Sequence, residues 1–312
     1  MTKEVIMGAA VTFVVFCLFL YLPHFLGSSP LFAAEEKLIV FGRIQDDPVR
    51  AVRDRQEFVD YIAKKLARQG YSEGRILVVG KMRPLARALR EGKVDFFHDS
   101  VVPTVVLSRW AGAIPIVRQW KYGEAEYDSV ILAKKNSRIG GVADLKGKTI
   151  GFDEPHSTSA HILPRMLLVE NELKLAPVTL PGRAKQDEVG FVHGADGNAI
   201  HMLVTDAVDA AATSTREFKE LRPEIQDRLK IVGRTRSVPR LVISVRKDLD
   251  PKVVKALKEI MLNMDKDPDG KVALKKQQRT TKIDEIPPGS FQLLRDIEKF
   301  VFSHFGKQLD SW

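Results

Sequence analysis

The chain has 312 residues, of which 44% are hydrophobic and 29% charged, and its formal net charge is +9 at pH 7. This composition excludes a disordered or fibrous protein, and the length suffices for one large or two medium domains. The basic residues are spread along the chain, which favours a solvated basic surface and argues against nucleic acid as a partner.

The N-terminal segment is almost continuously apolar over residues 5–22. This pattern is typical of a secretory signal, and the small residues Ala33 and Ala34 offer a processing point. Residues 1–34 are therefore predicted to be a signal peptide, and the remaining chain to be periplasmic. Because the apolar run is long for a signal, an uncleaved anchor in the inner membrane is the alternative. The only cysteine, Cys17, lies in this segment, so no disulfide is expected in the exported chain.

Beyond the leader, strands that are apolar on both faces alternate with helices. This alternation is typical of a mainly parallel sheet that helices cover on both sides. In this first half, strands are predicted over residues 37–41, 75–79, 94–97, 113–117 and 127–133, with helices over 50–68, 84–90 and 101–110.

The same alternation restarts in the second half, and two long amphipathic helices end the chain. Since no Pro/Gly/Ser-rich linker separates the halves, the chain is expected to cross between two lobes on ordered strands near residues 127–134 and 240–246. Two crossings would form a hinge with a ligand cleft between the lobes. The predicted strands are 149–152, 207–212, 229–233 and 241–245, and the predicted helices are 160–173, 198–204, 253–264 and 294–305.

These crossings divide the chain into lobes. Residues 35–133 and 240–312 are expected to form the first lobe, and residues 134–239 the second. The fold class that follows is α/β, with two lobes joined by two hinge strands.

Ser157, Thr158 and Ser159, here called the hydroxyl turn, follow the predicted strand over residues 149–152 and open a helix. A helix start offers free backbone N–H groups and a positive dipole end, so the hydroxyl turn is a candidate anion site. Ser159 is the predicted N-cap, although three hydroxyls also fit a role in capping alone. Pro164 falls inside this helix, where its missing N–H is expected to leave the Ala160 carbonyl unpaired.

Several short motifs occur in one order along most of the chain. They are Gly42 with Asp47-Pro48, Arg90-Glu91-Gly92-Lys93-Val94-Asp95, Tyr127-Asp128-Ser129, Asp144-Leu145-Lys146-Gly147-Lys148-Thr149, Ser157-Thr158-Ser159, Val208-Asp209-Ala210 and Lys247-Asp248-Leu249. Each is weak alone. The ordered series resembles the periplasmic phosphonate-, phosphite- and phosphate-binding proteins of ABC transporters, in the type 2 periplasmic-binding-protein superfamily.

The resemblance implies a two-lobed fold that closes on a small tetrahedral oxyanion and delivers it to an inner-membrane ABC permease. The hydroxyl turn would hold the anion, and Tyr127 would contact it from the hinge. A monomer is expected, without catalytic residues, cofactor or metal. Gln45, Asp99 and Ser100 complete the cleft residues that are expected to bind ligand.

The chain departs from the family pattern where the ligand's substituent would lie. A family Gly-Pro pair and the tyrosine that follows it correspond by spacing to Ser100-Val101 and Thr104. A family histidine corresponds to Asp196, with His193 nearby as the alternative. Without the tyrosine, an aminoalkyl phosphonate is not expected. A carboxylate such as Asp196 or Asp99 would accept a proton that phosphate or phosphonate still carries, and would repel sulfate.

Two other classes of function remain open. The closing domain would act as a membrane-anchored sensor if residues 5–22 were retained. A hydrolase would use Ser157 or Ser159 with His193 and Asp209, but the chain has no Gly-x-Ser-x-Gly elbow. The histidines do not predict a metal site, since His98, His156, His161, His193 and His201 form no recognised ligand spacing.

Overall fold

The structure is a computed structural model that describes residues 37–180, 184–194 and 198–312. The predicted leader and Asp196 lie outside the described residues. No helix within these ranges is long and apolar enough to cross a membrane.

Fourteen strands form two six-stranded sheets and one two-stranded ribbon within the described residues. They are β1 (Lys37–Ile44), β2 (Tyr71–Val79), β3 (Phe96–Asp99), β4 (Ile114–Lys121), β5 (Glu126–Tyr127), β6 (Ser129–Lys134), β7 (Thr149–Phe152), β8 (Lys174–Pro177), β9 (Glu188–His193), β10 (Ala210–Ser214), β11 (Leu229–Arg234), β12 (Val238–Pro239), β13 (Leu241–Val245) and β14 (Thr280–Asp284).

Helices cover the sheets, and a π-helical turn over Thr158–Ile162 leads into one of them. The α-helices are α1 (Pro48–Arg53), α2 (Gln56–Lys65), α3 (Met82–Arg90), α4 (Val101–Ala111), α5 (Leu163–Glu170), α6 (Asn198–Val204), α7 (Thr215–Glu220), α8 (Pro223–Gln226), α9 (Pro251–Asn263), α10 (Pro268–Lys276) and α11 (Pro288–Phe305).

The first sheet has the strand order β14-β4-β13-β3-β1-β2. β1 pairs in parallel with β2 and β3, whereas β13 runs antiparallel to both β3 and β4. β1, β3 and β4 therefore point the same way. Their carboxyl ends meet at one edge, where ligands of open α/β sheets bind.

The second sheet has the strand order β11-β6-β10-β7-β9-β8. β7 is parallel to β9 and β10, and β6 is antiparallel to β10 and β11. β10 is buried along its whole length, which fits a central strand that helices cover on both faces. The predicted α/β fold with two mainly parallel sheets is thus confirmed.

β5 and β12 pair antiparallel in the two-stranded ribbon, with Val238 opposite Tyr127. β5 lies in the chain between β4 of the first sheet and β6 of the second, and β12 lies between β11 and β13. This ribbon, here called the hinge ribbon, therefore carries both of those passages between the sheets. The lobe limits at residues 133 and 239 stay a prediction.

The lobes share one hydrophobic cluster at the side of α11. Leu294, Ile297 and Val301 of α11 belong to the same buried cluster as Ile162 and Leu163 at the start of α5. Burial of such side chains is worth about 1.5–3 kcal/mol each. The C-terminal helix thus holds the helix start beside the hydroxyl turn.

Candidate functional site

A cavity of about 460 Å³ is lined by residues of the first sheet, of the hinge ribbon, and of the segments that follow β7 and β10 of the second sheet. We call it the cleft cavity. Its walls form where strands of the first sheet end and where β7 of the second sheet runs into the hydroxyl turn. Of the residues predicted to bind ligand, seven line it: Gln45, Asp99, Ser100, Tyr127, Ser157, Thr158 and Ser159.

The helix cap at the hydroxyl turn is Ser157, so the prediction of Ser159 as N-cap was wrong. The Ser157 Oγ accepts a hydrogen bond of 3.2 Å from the Ala160 N–H. Ser159 is consequently not needed for the cap. It is half-buried, it lines the cleft cavity, and its hydroxyl has no hydrogen-bond partner within the described residues.

The prediction that the Ala160 carbonyl is left unpaired is also wrong, because the first turn of this helix is a π-turn. The Ile162 N–H donates to the Ser157 carbonyl at 3.0 Å. Pro164 then falls in the first turn of α5, where a missing N–H is tolerated. The Ala160 carbonyl accepts from the Asp153 N–H at 3.2 Å, which ties the helix start back to the end of β7.

Thr158 connects the hydroxyl turn with the start of α4. Its Oγ1 accepts a hydrogen bond of 3.1 Å from the Val102 N–H and lies 3.1 Å from the Ser100 Oγ, to which it donates. Thr158 is only 3% exposed. The two walls of the cleft cavity therefore meet at this hydroxyl.

Tyr127, in the hinge ribbon, is buried with 7% exposure. Burial raises the pKa of its phenol to about 12. The phenol therefore keeps its proton at neutral pH and remains a hydrogen-bond donor. The guanidinium carbon of Arg240 lies 4.3 Å from the centre of the Tyr127 ring, within the range of a cation–π contact.

Of the two carboxylates predicted to bind ligand, Asp99 is the one that lies in the described part of the chain. Its Oδ1 accepts a hydrogen bond of 2.8 Å from the Ser100 N–H, and Arg43 donates to its Oδ2 at 3.3 Å. Arg43 thus offsets the Asp99 charge. Nearby, the Gln45 side-chain amide donates to the Asp47 carbonyl at 3.2 Å.

Sequence reasoning missed the cations Arg43, Lys121 and Arg240, all of which line the cleft cavity. Burial, together with the neighbouring charges of Arg240 and Arg43, lowers the pKa of Lys121 to about 8. The signal was present, since Lys121 is the last residue of β4. The strand predicted there ended at residue 117, and the cation was therefore not placed at the cleft edge.

Other candidate residues lie elsewhere. Thr104, at the position of the family tyrosine, is fully buried and donates its hydroxyl to the Ser100 carbonyl at 2.9 Å. His193 ends β9 and does not line the cleft cavity; its Nε2 lies 3.4 Å from the His161 Nε2. Burial lowers the pKa of His161 to about 3, so this imidazole is neutral at physiological pH.

The groups of the hypothetical hydrolase triad are not brought together. The Asp209 carboxylate accepts a hydrogen bond of 2.8 Å from the Thr149 N–H at the start of β7. Ser157 and Ser159 lie beyond the other end of that strand, in the cleft cavity that neither His193 nor Asp209 lines. Across the described ranges, no group of three or more His, Cys, Asp or Glu residues is arranged to hold a metal ion.

Comparison with models of known protein families assigns the chain to a family. The family model described as "ABC transporter, phosphonate, periplasmic substrate-binding protein" matches residues 44–286, which is more than half of the chain.

Solved structures of low sequence identity share the fold. XAC2383 from Xanthomonas citri, bound to chloride ion, is 24% identical, with a TM-score of 0.78 over 88% of this chain and 99% of that one. The same protein was also solved bound to ATP. PhnD1 from Prochlorococcus marinus, in complex with methylphosphonate, is 20% identical, with a TM-score of 0.60 over 84% of this chain and 97% of that one. The chain belongs to the phosphonate-binding family of periplasmic substrate-binding proteins of ABC transporters.

Proposed function

We propose that the protein captures a small tetrahedral oxyanion, namely phosphonate, phosphite or phosphate, and delivers it to an inner-membrane ABC permease. The observation that carries this proposal is the meeting of the hydroxyl turn and Tyr127 in one cavity between the two sheets. Two structural relatives were solved with phosphorus oxyanions, methylphosphonate in PhnD1 and ATP in XAC2383.

The donors fit a compact anion. The Ser159 hydroxyl has no partner among the residues that the structure describes, and the Ser157 hydroxyl can donate because its oxygen acts as the acceptor in the cap. The phenol of Tyr127 supplies another donor. Hydrogen bonds to a charged group are worth about 1.5–3 kcal/mol each, so several of them give micromolar or tighter binding after ordering costs.

We further propose that a carboxylate selects for an anion that still carries a proton. Asp99 lines the cleft cavity and keeps acceptor capacity on both oxygens beyond its bonds from Ser100 and Arg43. Asp196 is the second candidate for this role. Sulfate has no proton to donate at neutral pH, so it would face the carboxylate oxygens without a hydrogen bond to them.

Calorimetric titration of the protein recovered after expression of the full chain tests both ideas. Phosphate, phosphite and methylphosphonate are expected to bind, and sulfate at least tenfold more weakly than the tightest of them. Binding of none of the three phosphorus anions would overturn the proposed function. Sulfate binding of equal strength would remove only the carboxylate hypothesis.

The proposed delivery role also requires export. N-terminal sequencing of the protein recovered from the periplasm is expected to show a start near Glu35. A retained Met1 on membrane-bound protein would instead support the sensor that residues 5–22 would anchor.

A further inference from the structure

The cleft cavity is lined by the cations Lys121 and Arg240 in addition to the hydroxyl turn. Lys121 at the end of β4 and Arg240 before β13 belong to the first-sheet side of the cavity, whereas the hydroxyl turn follows β7 of the second sheet. We call Lys121 and Arg240 the cation pair. β4 and β13 are antiparallel neighbours with Gln119 opposite Leu241, which brings the two cations to the same edge.

Among the described residues, Lys121 has no partner for its charge. Its ammonium group makes no hydrogen bond or ion pair with any described residue, and its one aromatic contact is with the Tyr122 ring, 5.3 Å away. The charges that act on it are the cations Arg240, Arg43 and Arg55 and the single carboxylate Asp99. Arg43 already pairs with Asp99, so the surroundings of Lys121 remain positive.

Arg240 is similarly under-satisfied. Its side chain is 13% exposed, and the nearest carboxylate oxygen is the Glu124 Oε2, 3.9 Å from its Nε. The Arg240 Nε is buried and has no hydrogen-bond partner in the described part of the chain, and the same holds for that Glu124 oxygen. A buried cation without hydrogen-bonded partners is unfavourable. An anionic ligand group beside the cation pair would relieve this cost.

The remaining carboxylates of the cleft cavity do not neutralise the cation pair. The Glu217 Oε2 accepts hydrogen bonds from the Thr213 and Ser214 hydroxyls and from the Ser214 N–H. Glu154 is exposed and lies 3.6 Å from His156, and Asp46 is also exposed.

The size of the cleft cavity allows a ligand that reaches both places. Its volume of about 460 Å³ equals roughly fifteen times the ~30 Å³ that one liquid water occupies, far more than a five-atom oxyanion fills. Tyr127 contacts both groups, since its hydroxyl interacts with the Thr158 side chain and its ring packs against Arg240. The cation pair is thus separated from the hydroxyl turn by one side chain.

We propose that the ligand carries a second negative group, a carboxylate or a further phosphoryl group, which binds to Lys121 and Arg240 while its phosphonate or phosphate binds at the hydroxyl turn. This inference rests on the proposed function and specifies its ligand class. It predicts discrimination against a substituent that bears an amine, because an ammonium group would meet two cations.

A set of phosphonates of matched length tests the inference on the unmodified protein. Calorimetry with 3-phosphonopropionate, propylphosphonate and 2-aminoethylphosphonate compares an anionic, a neutral and a cationic end group. The anionic ligand is expected to bind at least tenfold more tightly than the neutral one, and the cationic ligand most weakly. Equal affinities for the anionic and neutral ligands would overturn the inference and leave the proposed function standing. Failure of all three to bind, together with methylphosphonate and phosphate, would overturn both.

A charge-removing variant locates the effect. In Lys121→Met, the affinity ratio of 3-phosphonopropionate to propylphosphonate is expected to fall from at least 10 to about 2. Lys271→Met is the matched control, because it removes the same charge from an exposed position on α10 outside the cleft cavity. The control should keep the full ratio. A full ratio in Lys121→Met would contradict the inference, and thermal melting verifies that each variant is folded.

The pH profile supplies a readout that a structural role would not give. In the protein without ligand, Lys121 has a pKa of about 8. It is therefore charged at pH 7 and becomes neutral as the pH rises above about 8. The affinity ratio should therefore decrease between about pH 7 and about pH 10 in the unmodified protein. It should stay flat in Lys121→Met. Both ligands share the phosphonate group, so titration of that group cancels in the ratio.

Discussion

Replacement of Thr158 by valine is expected to weaken the binding of methylphosphonate about 100-fold. Valine preserves the volume and branching of the side chain but removes the hydroxyl. The buried Val102 N–H then loses its acceptor, and the contact between the two cavity walls is lost. An unsatisfied buried donor costs about 1–3 kcal/mol, and each 1.4 kcal/mol is a factor of ten in affinity. Calorimetry with the unmodified and variant proteins measures the change.

Two controls separate the hydroxyl from a general disturbance. Thr158→Ser keeps the oxygen and should retain most of the affinity. Thr205→Val removes a hydroxyl that donates to the His201 and Met202 carbonyls at the exposed end of α6, so the affinity of this variant should match that of the unmodified protein. An affinity loss below threefold in Thr158→Val would show that the Thr158 hydroxyl does not matter for capture.

Replacement of Gly270 by alanine is expected to lower the melting temperature by about 5–10 °C. Gly270 is buried in the first turn of α10, and a Cβ at this position would lie 2.3 Å from the Met264 carbonyl oxygen. This is backbone, which cannot move aside as a flexible side chain would. α10 would have to shift, and its own residues Ala273 and Leu274 would then lose their places in the core. Overpacking of this kind costs about 1–3 kcal/mol. Differential scanning calorimetry gives the change.

Gly289 provides a close control for the Gly270→Ala substitution. Gly289 follows a proline in the first turn of α11, as Gly270 follows Pro268 in α10, but a Cβ there meets nothing within 4 Å. Gly289→Ala should therefore leave the melting temperature unchanged or raise it slightly, because alanine has the better helix propensity. Equal melting temperatures for the two variants would refute the steric argument.

Segments with a clear apolar pattern and clear boundaries were predictable from the sequence. The predicted spans of β7, β13 and α6 coincide with the structure. The edge strands β8 and β14 were missed. They pair with a neighbour on one side only, so their sequences need less apolar character, and β14 reads as the largely polar Thr280–Asp284.

The helix predicted over residues 50–68 is two helices. The periodic residues Phe58 and Ile62 belong to α2, whereas α1 is fixed by its own cap, in which Asp47 accepts from the Arg50 N–H. Between them Arg55 is buried, and its guanidinium donates to the Ala51 carbonyl. Periodicity alone does not register such a break, because a buried arginine has no apolar signature.

The candidate site was predictable where its residues are contiguous. The hydroxyl turn is one run of three residues after a recognisable strand, and Tyr127 lies in a motif. The cation pair was not predictable, since Lys121 and Arg240 are single charged residues far apart in sequence. Only the antiparallel pairing of β4 with β13 brings them to one edge.

The bond from the Asp153 N–H to the Ala160 carbonyl has a consequence for selectivity. This bond ties the start of the π-turn back to the end of β7. The spacing between the Ser157 and Ser159 oxygens is therefore set by local structure before an anion binds. Under the proposed function, opening and closing of the cleft would then alter how long an anion is retained, without altering which shape of anion the hydroxyl turn accepts. Retention time and recognition of the tetrahedral head would accordingly be tunable by separate mutations.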